Sequence, residues 1–238
     1  MRRLRLALLG LALLILAGIV GWWLIRRTAN SPTRELLDQY FSQPDKRAAL
    51  ITDLKAPCPS APFLLPSTGF VGLLYSDPTA PYTPLNKHPG IDIFGNGEPD
   101  TIPIYAAYDG YLTRLPDWKS AVIVRIPKDP LDPSRQIWTY YTHMASLSGD
   151  QSYISSAFPL GSSEIPVKQG TLLGYQGLYA GVGAAPIKMH VHFSVVLSDS
   201  AGSFRNETRL DNTLDPSPYF GLTLNASKAV TIPVRCGA

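Results

Sequence analysis

Four histidines are all that this 238-residue chain contains, and each falls in a short polar motif. His88 opens His88-Pro89-Gly90-Ile91-Asp92, His143 closes Tyr141-Thr142-His143, and His190 and His192 frame His190-Val191-His192. Side chains alternate faces along a strand, so His190 and His192 point the same way on an extended segment. Two imidazoles side by side repel when charged and need partners when buried; a metal ion meets both demands. His88 and Asp92, four residues apart, also return to one face of an extended segment, and Gly90 between them permits a close backbone approach. A His–Asp pair plus one histidine from another strand makes three ligands with a fourth position open, the pattern of catalytic rather than structural zinc. Imidazole and carboxylate donors suit Zn2+, and no thiolate lies nearby in sequence. A purely structural role is the competing reading for any one histidine; the joint context of all four favours a site.

Such side chains need rigid elements to hold them. From about residue 60 the pattern is of short β-branched and aromatic runs separated by turn residues, which predicts strands over 70–75, 102–107, 111–115, 121–126, 136–142, 171–175, 190–197 and 229–234. No strong helical period follows residue 60, so 60–238 reads as an all-β domain. Two turn-rich stretches, 76–87 and 145–166, are long enough to wall a groove or to be tolerated insertions. Ahead of this domain, 28–59 reads as a helical, proline-rich stalk. Ser31-Pro32 resembles an N-cap followed by proline at the first helical position, Leu36, Leu37, Tyr40 and Phe41 fall at helical spacing, and a second short helix follows Pro44. The stalk either docks on the domain or spaces it from a membrane.

Residues 6–25 are uninterruptedly apolar or glycine, long enough at about 1.5 Å per residue for a hydrocarbon core of roughly 30 Å. Trp22 and Trp23 stand at the far end, where amphipathic rings favour the interface. A cleaved signal peptide is the alternative, but its apolar region is shorter, about 7–15 residues, and has a small-residue cleavage site behind it. Residues 1–27 are therefore expected to form an uncleaved, single-pass anchor. Arginine before the run outnumbers arginine after it, which orients the rest outside the cytoplasm.

The net charge of +3 comes from that end of the chain. Arg2, Arg3, Arg5, Arg26 and Arg27 flank the apolar run, and without them 16 basic residues face 18 acidic ones. No basic cluster follows, which argues against a nucleic-acid partner. Cys58 and Cys236 bracket nearly the whole outer domain. An oxidising compartment favours a bridge between them, two unrelated thiols being the alternative.

In order along the chain stand His88-Pro89-Gly90-Ile91-Asp92, Ile104-Tyr105-Ala106-Ala107-Tyr108-Asp109-Gly110, Tyr141-Thr142-His143-Met144, Val167-Lys168-Gln169-Gly170-Thr171-Leu172-Leu173-Gly174 and His190-Val191-His192-Phe193. This series, over residues 88–196, resembles the lysostaphin- and LytM-type zinc endopeptidases. The resemblance implies antiparallel sheets with an open groove. It implies zinc held by His88, Asp92 and His192, with His143 and His190 as catalytic histidines. It also implies a substrate in the stem or cross-bridge peptides of bacterial peptidoglycan. Ala184-Ala185-Pro186-Ile187-Lys188-Met189 departs from the Gly- and Ser/Thr-containing turn that often precedes the histidine pair in that family, a change in the groove wall rather than in the ligands. The alternative is a non-catalytic LytM-like domain that binds peptidoglycan or activates a wall hydrolase. Members of that kind usually lack some of the five residues. A cupin would place a glutamate a few residues beyond His-x-His, where Phe193 to Leu197 offers none, and a thermolysin-type His-Glu-x-x-His is absent.

Overall fold

Short apolar runs, the central ones buried on both faces, build ten strands among the described residues, and the order in which they pair decides where the histidines meet. The computed structural model describes Gly10 and residues 14–16, 18–21 and 33–237. The strands are β1 (Phe70–Leu73), β2 (Ile91–Phe94), β3 (Pro103–Tyr105), β4 (Gly110–Thr113), β5 (Val122–Ile126), β6 (Ile137–Thr142), β7 (Ile165–Val167), β8 (Leu172–Tyr175), β9 (Val191–Leu197) and β10 (Thr213–Leu214). Eight of them form one antiparallel sheet in the order β1-β2-β9-β6-β5-β4-β7, with β10 paired to β9; β3 and β8 form a second, two-stranded sheet.

One face of the large sheet buries the main core. Val71, Ile91, Ile93, Leu112, Val122, Val124, Tyr141, Val191, Phe193 and Val195 pack there with Phe63, Met144, Leu173 and Phe220. The opposite face is divided into three zones. Phe70 and Phe94 lie under an N-terminal helix at one end, and Ile123, Trp138 and Val196 lie under Trp118 and Phe204 at the other. Between them, opposed residues of β2 and β9 put Asp92 directly beside His192.

The N-terminal helix is α1 (Arg34–Ser42), followed by a 3-10 turn at Pro44–Leu50. It docks on the sheet rather than standing off it. Tyr40 is buried, stacks on Phe70 at 5.0 Å and donates its hydroxyl to the Phe94 carbonyl at 3.0 Å. Thr33 stands at the N-cap, but its hydroxyl reaches the Gly72 carbonyl at 2.5 Å instead of capping α1. The proposed Ser31-Pro32 cap lies outside the described residues. So does most of the 6–25 run; among the described residues no helix is long and apolar enough to cross a membrane.

Three local expectations are corrected. Residues 229–234 form no strand. Val230 and Ile232 pack on the core, but the central strands of the sheet are already paired on both sides, and Pro233 has no N–H to offer a ladder. β7 falls inside the stretch read as loop, and its Pro166 is tolerated because β7 is an edge. A one-turn helix, α2 (Ser217–Phe220), ends at Gly221 with φ 63°. The 145–166 stretch is also more ordered than its serines imply. The Arg114 guanidinium, buried behind it, donates to the Phe158 carbonyl at 2.9 Å and to Ser152 Oγ at 2.9 Å. Cys58 and Cys236 are bridged, with Cα atoms 5.3 Å apart and 178 residues between them in sequence.

Candidate metal centre

His88 enters β2 through Pro89-Gly90, Asp92 lies within β2, and His192 lies within β9. Gly90 is required by this approach: a Cβ there would stand 2.2 Å from the Phe193 carbonyl oxygen and 2.9 Å from the His192 ring. The result is a tight triad. His88 Nε2 lies 2.9 Å from His192 Nδ1 and 3.2 Å from Asp92 Oδ1, and His192 Nδ1 lies 2.8 Å from the same oxygen. The distal nitrogens are held too. His88 Nδ1–H donates to the Leu74 carbonyl at 3.0 Å, which leaves a lone pair on Nε2 of the neutral ring. His192 Nε2 is 2.8 Å from Ser194 Oγ.

This set fits a metal ion on its own chemistry. The Asp92 side chain is almost fully buried, and among the described residues its ion-pair partners are histidines alone. A buried carboxylate without a cation is costly. Burial opposes its ionisation, but the His88 and His190 charges and hydrogen bonds from His192 and His88 outweigh it and hold the carboxyl well below the usual carboxylate range. Two imidazoles and one carboxylate crowd one point with fewer protons than contacts. Tetrahedral bonds of about 2.0–2.2 Å would set neighbouring donors roughly 3.4 Å apart, close to the separations seen. All three donors lie within 4.8 Å of one another. Outer partners of this kind, a carbonyl and a hydroxyl on the far ring nitrogens, orient ligating histidines.

The other two histidines stand together beside the same centre. His143 follows β6, whose last residue Thr142 is opposite His192; His190 immediately precedes β9. Their rings are 4.5 Å apart, and His190 Nε2 is 3.6 Å from Asp92 Oδ2. Each Nδ1–H donates to a main-chain carbonyl, His143 to Tyr179 at 2.7 Å and His190 to Lys188 at 2.6 Å. Since a carbonyl only accepts, Nδ1 carries a proton in both rings, and Nε2 is the nitrogen left for other contacts. His143 has φ 74°, a left-handed conformation uncommon for a side-chain-bearing residue and frequent at functional positions. Its imidazole is pushed down to about 3, first by burial and next by the neighbouring His190 charge. Gly177 lets these segments close together, because a Cβ there would meet the Ala145 and His143 carbonyl oxygens at 2.3 and 2.4 Å.

A cleft of about 540 Å³ opens over Asp92, His143 and His190. Leu37 and Phe41 of α1, Tyr82 and the 184–188 segment form its walls. Tyr82 escaped the sequence reading. Its ring lies 4.6 Å from that of His88, and burial, reinforced by the Asp92 charge, pushes its phenol up, so it remains a hydrogen-bond donor. Ser194, two residues beyond His192 on the same strand face, was legible in principle from alternation; a lone tyrosine in a turn-rich loop was not.

No family model and no curated protein matches the chain. Solved structures do. The neighbours are lysostaphin-type peptidases. The catalytic domain of the antimicrobial peptidase lysostaphin from Staphylococcus simulans is 20% identical, with 56% of this chain and 79% of that domain covered and a TM-score of 0.35. Against the longer lysostaphin chain the match spans about half that protein, 47%. A point-mutant catalytic domain of the prophage-encoded M23 protein EnpA from Enterococcus faecalis is 21% identical, covering 67% of this chain and 95% of that one, TM-score 0.32. A zinc-containing peptidase from Vibrio cholerae is 17% identical, covering 75% and 41%, TM-score 0.32. With identities this low, the functional reading rests on the five side chains and their geometry.

Proposed function

We propose that the chain is a zinc metalloendopeptidase that hydrolyses peptide bonds in bacterial cell-wall peptidoglycan, held outside the cytoplasm by a single N-terminal membrane helix. The observation that carries this reading is the convergence of His88 Nε2, Asp92 Oδ1 and His192 Nδ1 beneath a cleft that two further imidazoles line, each with its Nδ1–H tied to a main-chain carbonyl. His88, Asp92 and His192 would hold the zinc. When bound, zinc supplies a Lewis acid that polarises a carbonyl and lowers the pKa of water towards about 7.

The chain's own residues do the rest. His143 accepts a proton from the attacking water at Nε2, and the Tyr179 carbonyl holds the ring in the tautomer that makes this possible. The same nitrogen then delivers the proton to the departing amine. His190, tied to the Lys188 carbonyl, donates from Nε2 to the developing oxyanion when protonated. The Tyr82 phenol is a second donor on the cleft wall. The main core packs on the far face of the sheet, and the cleft opens over Asp92, His143 and His190.

His143→Ala or His190→Ala should retain zinc and lose about 10²–10⁴-fold in wall hydrolysis, followed as newly released amino groups. His88→Ala, Asp92→Ala or His192→Ala should lose the metal itself. Full turnover by His143→Ala removes its assigned role. Bound zinc without any release of amino groups by the unaltered chain would instead favour a non-catalytic, wall-binding module.

A further inference from the structure

The cleft is lined mostly by apolar side chains, the exceptions being Asp92, the histidines, the Tyr82 phenol and Lys188. Leu37, Phe41, Leu73, Phe94, Pro186 and Ile187 supply most of the wall. Apart from Asp92 and the histidines, Lys188 is the charged side chain among the described residues that line it. No carboxylate of the described residues pairs with Lys188.

Its ammonium is nonetheless placed. Lys188 Nζ sits 5.5 Å over the Phe41 ring, Phe41 meets Phe94 edge-on at 5.3 Å, and Phe94 lies 4.9 Å from the His190 ring. The Lys188 carbonyl meanwhile accepts the His190 Nδ1–H. Lys188 and His190 are therefore linked twice, once through the backbone and once through the ring contacts of Phe41 and Phe94. Helix α1 supplies Phe41, so the segment ahead of the β-domain takes part in placing this charge.

Charge complementarity says what the cation is for. A divalent ion held by one carboxylate and two neutral imidazoles leaves the centre positive, and Lys188 adds a second positive charge to a cleft with low-dielectric walls. Such a cleft concentrates anions and strengthens a charge pair formed within it. We propose that Lys188 is a specificity residue that binds a free carboxylate of the substrate peptide beside the scissile bond, so that the enzyme selects wall peptides carrying that carboxylate over amidated ones. This rests on the peptidase reading and deepens it.

The test compares intact sacculi with sacculi whose carboxylates have been amidated by carbodiimide and ammonia. Because the side chain is exposed, the unaltered chain should prefer intact wall by about fivefold in kcat/KM at low salt, an effect carried by KM and lost as salt rises. Lys188→Met keeps an apolar stem against Phe41 and should lose most of the preference with unchanged zinc content; Lys188→Arg should restore it. Lys188→Gln provides a second neutral variant should the methionine protein fold poorly. Two soluble wall peptides, one amidated only at the C-terminus and one only at internal carboxylates, distinguish which carboxylate is read. No preference in the unaltered chain, or a preference that survives undiminished in both neutral variants, overturns the assignment while leaving the peptidase reading intact. Hydrolysis of neither wall overturns both.

Discussion

At the scale of single residues, the five polar side chains were legible because their chemistry imposes spacing. An i, i+2 histidine pair on a strand and an i, i+4 His–Asp pair across Gly90 each have few structural explanations, and the structure brings all five around one point. What spacing could not convey was protonation. His143 sits between Tyr179 and His190, and its depressed affinity for protons depends on burial that only the folded chain creates. The sign of its effect on stability follows. The unfolded chain binds a proton at His143 below about pH 6.5, whereas the folded chain does not until about 3. Stability is thus fully present above 6.5 and falls as pH drops from 6.5 towards 3. His192 shifts in the same direction, again through burial. The urea midpoint of metal-free protein should decline between pH 7 and pH 5, and His143→Gln should decline less. Equal slopes for the two proteins would contradict the assignment.

At the scale of elements, seven of the ten strands overlap runs predicted from sequence, whereas β2, β7 and β10 do not. β5, with Val122, Ile123, Val124 and Ile126, falls within a predicted strand, and so does β6. β2 was missed as a strand because only four residues, Ile91–Phe94, carry it and Asp92 interrupts their apolar character. Residues 229–234 were over-read because β-branched residues also serve as core plugs in irregular chain. Helix α1 was expected from its spacing, but whether it docked or merely spaced the domain depended on what the sheet offered in return. The sheet offers Phe70 and Phe94, and α1 answers with Tyr40 and Phe41. Tyr40→Ala should therefore cost about 3 kcal/mol in urea unfolding, the range for removing a buried aromatic side chain. It should also raise KM, because the helix that supplies Leu37 and Phe41 to the cleft would loosen. A variant as stable as the parent would mean that α1 contributes no binding energy to the sheet.

At the scale of the whole molecule, the chain is closed by a covalent tie and, on the present reading, tethered at one end. The Cys58–Cys236 bridge encloses the β-domain, and cross-linking a loop of that length stabilises by about 5 kcal/mol in the chain-entropy model, although measured losses are usually nearer 2–5 kcal/mol. Reduction, or Cys58→Ser with Cys236→Ser, should lower Tm by roughly 5–15 °C. An unchanged Tm would show that the α1 and core contacts already restrain both ends. Two cysteines so far apart in sequence admitted a bridge but could not demand one. Only the fold brings their Cα atoms within reach. The tether is tested separately: protease added outside spheroplasts should digest the chain beyond about residue 30, and protection would reverse the proposed topology.

The proposed activity requires a metal ion held by His88, Asp92 and His192 at the junction of β2 and β9. The most direct measurement is elemental analysis of the dialysed, full-length protein beside Asp92→Asn, with amino-group release from purified peptidoglycan recorded on the same samples. The account predicts one zinc per chain and hydrolysis in the parent, with both lost in Asp92→Asn. A parent chain that carries no divalent metal yet still cleaves the wall would contradict it.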